Sequence, residues 1–230
     1  MSKRVILIFL FITFRISYGY AQNTNSSGDN EVNIFTNGDN HLTRVTFKRE
    51  NSAIQGNIYL FPKWIESGKL LTKTEKKYTL LNLNYNVLSD NFEFKISKDS
   101  IFRLDSDYIQ QINISGAIFR KYNVKVLKNH FVEVLFENYN VLLLKKYDIR
   151  ILRGSLDPLN GEITPDKYHI YSEFYFLQDN IPTKITLNKK DVISLFREKS
   201  HLVRNYAKKN GLSYKKEKDI INILQFGISL

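Results

Sequence analysis

Thr79-Leu80-Leu81-Asn82-Leu83-Asn84-Tyr85 and, further on, Phe131-Val132-Glu133-Val134-Leu135-Phe136 are the stretches that decide the fold. Successive side chains of a strand point to opposite faces, so apolar and polar residues in alternation mark a strand with one wet face. In the first stretch Leu81, Leu83, Tyr85 and Val87 read as one face, with Asn82 and Asn84 opposite. Ser89-Asp90-Asn91 then turns the chain into Phe92, Phe94 and Ile96, set against Glu93 and Lys95. The second stretch turns at Glu137-Asn138-Tyr139-Asn140 into residues 141–152, whose Leu142-Leu143-Leu144 is apolar on both faces and belongs in the middle of a sheet. Residues 77–152 therefore predict an antiparallel β-meander.

Working outward, residues 42–47 read as an earlier strand, and Gly56-Asn57-Ile58-Tyr59-Leu60-Phe61-Pro62-Lys63-Trp64 as one that finishes at Pro62, which has no N–H for a ladder. Trp64, the only tryptophan, is expected to cap one end of the core; the alternative is a ligand platform. Residues 154–166 hold two Pro and two Gly and read as a loop, functional or mobile; with no His or Arg and only three carboxylates in a polar setting, the mobile reading is favoured. Tyr168, Ile170, Phe174 and Phe176 alternate again, and residues 183–187 make a last strand.

From Asn188 the period changes. Asn188 and Asp191 supply an N-cap and a carboxylate near the positive end of a helix, and Val192, Leu195, Phe196, Leu202, Val203 and Tyr206 recur at helical spacing. Asn210-Gly211 ends that helix over 191–209, and Ser213 caps a second over 214–225 with Ile220, Ile221 and Leu224 inward. The fold class is α+β, mainly β: a meander over 42–187 of roughly eight to eleven strands, curled into a sandwich or incomplete barrel and followed by a helical hairpin over 188–230.

At the other end, Lys3 and Arg4, an apolar run over 5–14 and Gly19-Tyr20-Ala21 make a secretory signal with cleavage before Gln22. The run is shorter than the roughly 20 residues that span a bilayer. Residues 22–41 follow as a polar, flexible leader, and an exported domain over the periplasm or cell surface is expected. With no cysteine at all, disulfides, thiolate metal sites and a cysteine nucleophile are excluded.

Charge is unevenly spread. Residues 22–182 hold 20 basic against 19 acidic side chains, whereas residues 183–230 hold 11 against 4, a net of +7. Arg197, Arg204, Lys208, Lys209, Lys215, Lys216 and Lys218 are the candidates for docking on an anionic surface; the plainer reading is ordinary solubilising surface. Export and the lack of an RNA-binding aromatic signature or zinc finger argue against nucleic acid.

Candidate chemistry is sparse. His41, His130, His169 and His201 lack the spacing of a helical metal site, no Gly-rich phosphate loop or nucleophile elbow occurs, and no metal or cofactor is expected. Glycosidases need only two carboxylates about 5 to 10 Å apart. Asp105 with Asp107, and Glu133 with Glu137 if their strand is regular, share a face and are the pairs such an enzyme would use; a solvated sheet face explains both more simply.

The Tyr-Ala-Gln signal end, Gly56 through Trp64, Leu83-Asn84-Tyr85-Asn86-Val87 and Lys189-Lys190-Asp191 together resemble exported β-rich proteins of unknown function from Bacteroidota. That resemblance covers most of the chain after the signal and brings no catalytic residues with it. The expectation is a non-enzymatic envelope protein that binds or scaffolds a partner, either another envelope protein or an anionic surface of lipid headgroups or polysaccharide. A carboxylate-based, carbohydrate-active hydrolase is the alternative.

Overall fold

The computed structural model describes residues 42–46, 54–97, 100–139, 141–156, 158–159 and 161–230; the expected signal segment, the leader and His41 lie outside the described residues. Its strands are β1 (Thr43–Thr46), β2 (Ile65–Thr72), β3 (Lys77–Asn86), β4 (Asn91–Lys95), β5 (Ile101–Leu104), β6 (Ile109–Ile114), β7 (Ala117–Lys121), β8 (Phe131–Asn138), β9 (Val141–Leu152), β10 (Lys167–Gln178) and β11 (Ile181–Ile185). They form one antiparallel sheet in the order β1-β5-β4-β3-β2-β6-β7-β8-β9-β10-β11. Most neighbours in space are neighbours in sequence, as the meander pattern requires.

The sheet curls but stays open. Tyr147 and Ile149 of β9 and Ile170 of β10 pack against the core built by β2 to β7 with Leu42 and with Phe131 of β8. Residues 55–60 strap the two parts together at one end. Gln55 donates to the Asp166 carbonyl and accepts from the Tyr168 N–H, both at 2.8 Å, while Leu60 donates to the Tyr85 carbonyl and Ile58 accepts from Val87, both at 2.9 Å. The Gly56–Trp64 stretch expected as a strand is this strap, and β2 starts just beyond it.

Tyr85 stands at the centre of the first core, with ring centroids of Phe92, Phe119 and Phe131 at 4.9, 5.6 and 6.4 Å. Its hydroxyl is not stranded there, because it donates to Asp90 Oδ1 at 2.6 Å, and the same oxygen accepts the Phe131 N–H at 3.0 Å. Asp90 thus ties the β3–β4 turn to the start of β8.

One detail of β3 differs from the alternation. Leu81, expected inward, is 61% exposed, and the inward set is Tyr78, Leu80, Leu83 and Tyr85. The cause is Asn82, whose φ of 52° shifts the alternation by one residue. Asn tolerates this left-handed conformation better than most side chains.

On the β8–β11 side both faces are covered. Leu143, Phe136 and Phe176 meet the helices, while Leu142, Leu144 and Leu177 meet Leu127 from a 3-10 turn at Lys125–Leu127. The triple leucine is therefore central, as its sequence demands.

The helices are α1 (Lys189–Ser194), α2 (Ser200–Lys209) and α3 (Glu217–Ser229). Asn188 caps α1 by accepting the Asp191 N–H at 2.9 Å. The single helix expected over 191–209 breaks after Ser194, where Phe196 turns inward onto Gly227 of α3. A Cβ on Gly227 would stand 2.0 Å from that ring, so only glycine admits it. The end of α2 follows expectation: Gly211 has φ 62°, its N–H reaches the Lys208 carbonyl, and the Leu212 N–H reaches the Ala207 carbonyl. Ser213 does not cap α3. Its hydroxyl accepts the Lys215 N–H at 3.2 Å in the preceding turn, and α3 begins at Glu217.

Candidate functional site

The paired-carboxylate arrangement depends on strand regularity, and β8 is not regular. Val134 faces Leu144 while Phe136 faces Leu143, leaving Leu135 as an extra residue that reverses the alternation. Glu133 consequently lies on one face, accepting the Tyr147 hydroxyl at 2.5 Å, and Glu137 on the other, held by Arg120 Nη1 at 2.9 and 2.8 Å. They cannot act on one bond. Asp105 and Asp107 form a turn instead, with the Asp107 N–H donating to Asp105 Oδ1 at 3.1 Å.

Glu93, expected on a wet face, is only 3% exposed. It accepts the Tyr59 hydroxyl at 2.8 Å and the Asn86 amide at 3.1 Å, with Arg103 Nε at 3.8 Å. Burial first, and then this hydrogen bond to Glu93, push the Tyr59 phenol well up. Asn84 is buried beside it for a similar reason: its amide donates to the Phe61 and Lys63 carbonyls at 2.9 and 3.3 Å and so pins the strap. This is a structural network with one carboxylate in it, in which Arg103 Nε is left without a hydrogen-bond partner.

Elsewhere, the displaced carboxylates move opposite to a general acid. Burial pushes Asp148 up, but the Lys146 ammonium and the Ile149 N–H bring it below its usual range; Lys184 and the Tyr175 hydroxyl do the same for Glu173. Among the described residues no group of three or more His, Asp or Glu side chains is gathered so as to hold a metal ion.

Trp64 is half-buried at the strap. Lys95 Nζ stands 4.5 Å from its ring and the Tyr59 ring packs at 5.0 Å.

The seven cationic candidates separate into two sets. Arg197 and Arg204 line a groove of about 590 Å³ at the junction of α1 and α2, together with Lys189, Lys190, Ser194 and Ser200 over the buried Ile193. Lys208, Lys209, Lys215, Lys216 and Lys218 are exposed but do not line it; they lie along the end of α2 and around the turn into α3. Among the described residues, none of these nine Lys and Arg side chains pairs with a carboxylate. The cationic partners at this end of the chain are Lys145, which reaches Glu217 at 2.7 Å, and Lys184, which reaches Glu173 at 2.6 Å.

Lys189 and Lys190 escaped the sequence reading, where they served only as a helix start. A signal was present. Two ammonium groups in the first turn oppose the helix dipole, and the residues four positions on, Ile193 and Ser194, offer no carboxylate. No model of a known protein family, no characterised protein and no solved structure matches the chain.

Proposed function

We propose that the chain is an exported, non-enzymatic envelope protein that binds or scaffolds a partner, and that the outward face of its C-terminal helices docks on an anionic surface. The observation that carries this is the exposure of Lys208, Lys209, Lys215, Lys216 and Lys218 without carboxylate partners, on and between two helices whose other sides bury Val203, Ala207, Ile220, Ile223 and Leu224. Each Lys near an anionic membrane surface contributes about 1 kcal/mol, screened within a Debye length of roughly 8 Å at physiological salt.

Co-sedimentation with anionic and neutral vesicles at low and high salt tests it. Binding should be confined to anionic vesicles, weaken steeply with salt, and drop in a variant with Lys208, Lys209, Lys215 and Lys216 changed to Gln. Equal binding by variant and wild type would place the docking surface elsewhere. Export is tested separately by the intact mass and cell fraction of the natural protein; a cytosolic chain retaining Met1 would remove the envelope from this reading. The hydrolase alternative draws no support from the carboxylate geometry.

A further inference from the structure

We infer that the groove at the α1–α2 junction is a discrete binding site for a phosphate-bearing anion. The inference rests on the reading of the C-terminal helices as the anion-binding part of the molecule, but it concerns other side chains. Lys189, Lys190, Arg197 and Arg204 converge on one concavity from α1, the following 3-10 turn and α2. No carboxylate lines it. Four like charges in one groove repel each other, and no internal partner offsets that repulsion, so the arrangement favours a ligand carrying two or more negative charges.

The donor set narrows the class further. Guanidinium groups present paired N–H donors that match the oxygens of a phosphate, and the two lysines add charge without fixed geometry. A phosphomonoester brings nearly two charges and three acceptor oxygens at neutral pH, where a sugar carboxylate brings one charge. A volume of about 590 Å³ suits a headgroup or a small phosphorylated molecule. No aromatic side chain lines the groove, so a nucleobase would find nothing to stack on.

Arg197 adds an independent sign. It has a φ of 46°, the left-handed conformation that a long side chain rarely takes, at a position that lines the groove. The shared ligand chemistry can come from a soluble phosphate ester or from a lipid with a terminal phosphate.

The test is titration calorimetry of the full chain with inorganic pyrophosphate as probe, comparing wild type, the K190Q/R204Q variant, and the outer-face variant with Lys208, Lys209, Lys215 and Lys216 changed to Gln. Wild type should bind one pyrophosphate saturably. K190Q/R204Q, whose circular dichroism should match wild type because both positions are exposed, should bind roughly tenfold or more weakly, and the outer-face variant should bind like wild type. No binding by wild type, or an equal loss in both variants, overturns the site. That failure is distinguishable from failure of surface docking, which is read from vesicle binding by the outer-face variant alone. Vesicles of phosphatidate and phosphatidylserine at matched charge then assign the source. A phosphatidate preference abolished by K190Q/R204Q supports the site with a lipid ligand, and groove-dependent pyrophosphate binding without that preference supports it with a soluble one.

Discussion

Phe92 and Phe176 sit in the same sheet, yet different neighbours bury them. Phe92 meets Tyr85, Phe119 and Phe131 at 4.9, 5.3 and 5.0 Å, all from other strands of a sheet that curls over its own face. Phe176 belongs to a core whose other side is helical, built from Val192, Val203, Ile220, Ile223 and Leu224. A sheet that covers itself leaves its outer surface to loops and polar networks. One that needs helices acquires a new outer surface, and on this chain that surface gathers nine cations that pair with no described carboxylate. Stability should thus respond most to the aromatic core and binding most to the helical layer.

The largest expected effect follows directly. Phe92→Ala should cost about 3 to 5 kcal/mol, read as a lower urea midpoint, while anion binding per folded molecule stays unchanged. A cost under about 1 kcal/mol would break the comparison, since the aromatic rings would then not be what supports that half.

Alkali should act next and mostly on the sheet, although burial also raises the phenol of Tyr214 in the turn before α3. Tyr59, Tyr85, Tyr147 and Tyr175 all belong to the sheet or its strap. Burial, and then the carboxylates beside them, raise their phenols, that of Tyr175 to about 12. A phenol raised in the folded state contributes stability that is whole below its unfolded value near 10 and is lost as pH climbs through the folded value. Unfolding free energy should therefore fall above pH 10 by up to about 1.4 kcal/mol per pH unit for each phenol, and Tyr147→Phe should flatten the slope. For Asp148 and Glu173 the sign reverses. Their lowered carboxyls contribute above the ordinary carboxylate range and lose that contribution as pH falls below it. An alkaline limb unchanged in Tyr147→Phe would show that this hydroxyl titrates as if exposed.

These features were unequally legible from sequence. Leu142-Leu143-Leu144, the Asn188 cap and the Gly211 stop follow from local rules, and each stands where those rules put it. The alternation of β3 and β8 is local too, but a single left-handed residue at Asn82 and a single extra one at Leu135 reverse it, and nothing in the hydrophobic pattern marks either. Glu93 and Asn84 read as wet because their cover, residues 57–64, is held by long-range contacts. The break between α1 and α2 is set by Phe196 meeting Gly227 on a different helix. Arg197 follows at that break and lines one groove with Lys189, Lys190 and Arg204, so the groove is a tertiary fact that helical periodicity alone does not contain.

That dependence makes Gly227→Ala the next test. The added methyl collides with the Phe196 ring, an overpacking that should cost about 1 to 3 kcal/mol, and displacement of Phe196 should weaken pyrophosphate binding although no cation is removed. Normal binding in a destabilised Gly227→Ala would uncouple the helical core from the groove. A smaller loss, about 1 kcal/mol, is expected for Glu217→Gln, which removes the ion pair from α3 to Lys145 on the sheet. It should shrink at high salt, and urea unfolding at two ionic strengths measures it.

The smallest effect is expected where the two regions use the same backbone conformation with different residues. Asn82 in the sheet and Arg197 in the helical layer have φ values of 52° and 46°. Asn82 also uses its short side chain, whose amide reaches the Lys95 carbonyl at 3.4 Å, so Asn82→Gly should gain nothing. For an arginine the left-handed region costs about 1 to 2 kcal/mol, and glycine avoids this while losing about 0.5 to 1 kcal/mol through the freedom of its unfolded chain. Arg197→Gly should therefore leave stability unchanged or raise it by up to about 1 kcal/mol, while weakening pyrophosphate binding. Urea unfolding and the calorimetric titration, run on the same preparation, read both quantities. If Arg197→Gly instead destabilises the fold by more than about 1 kcal/mol, the arginine side chain is holding the helix junction together. The strained backbone would then have a structural explanation, and the groove would lose its independent sign.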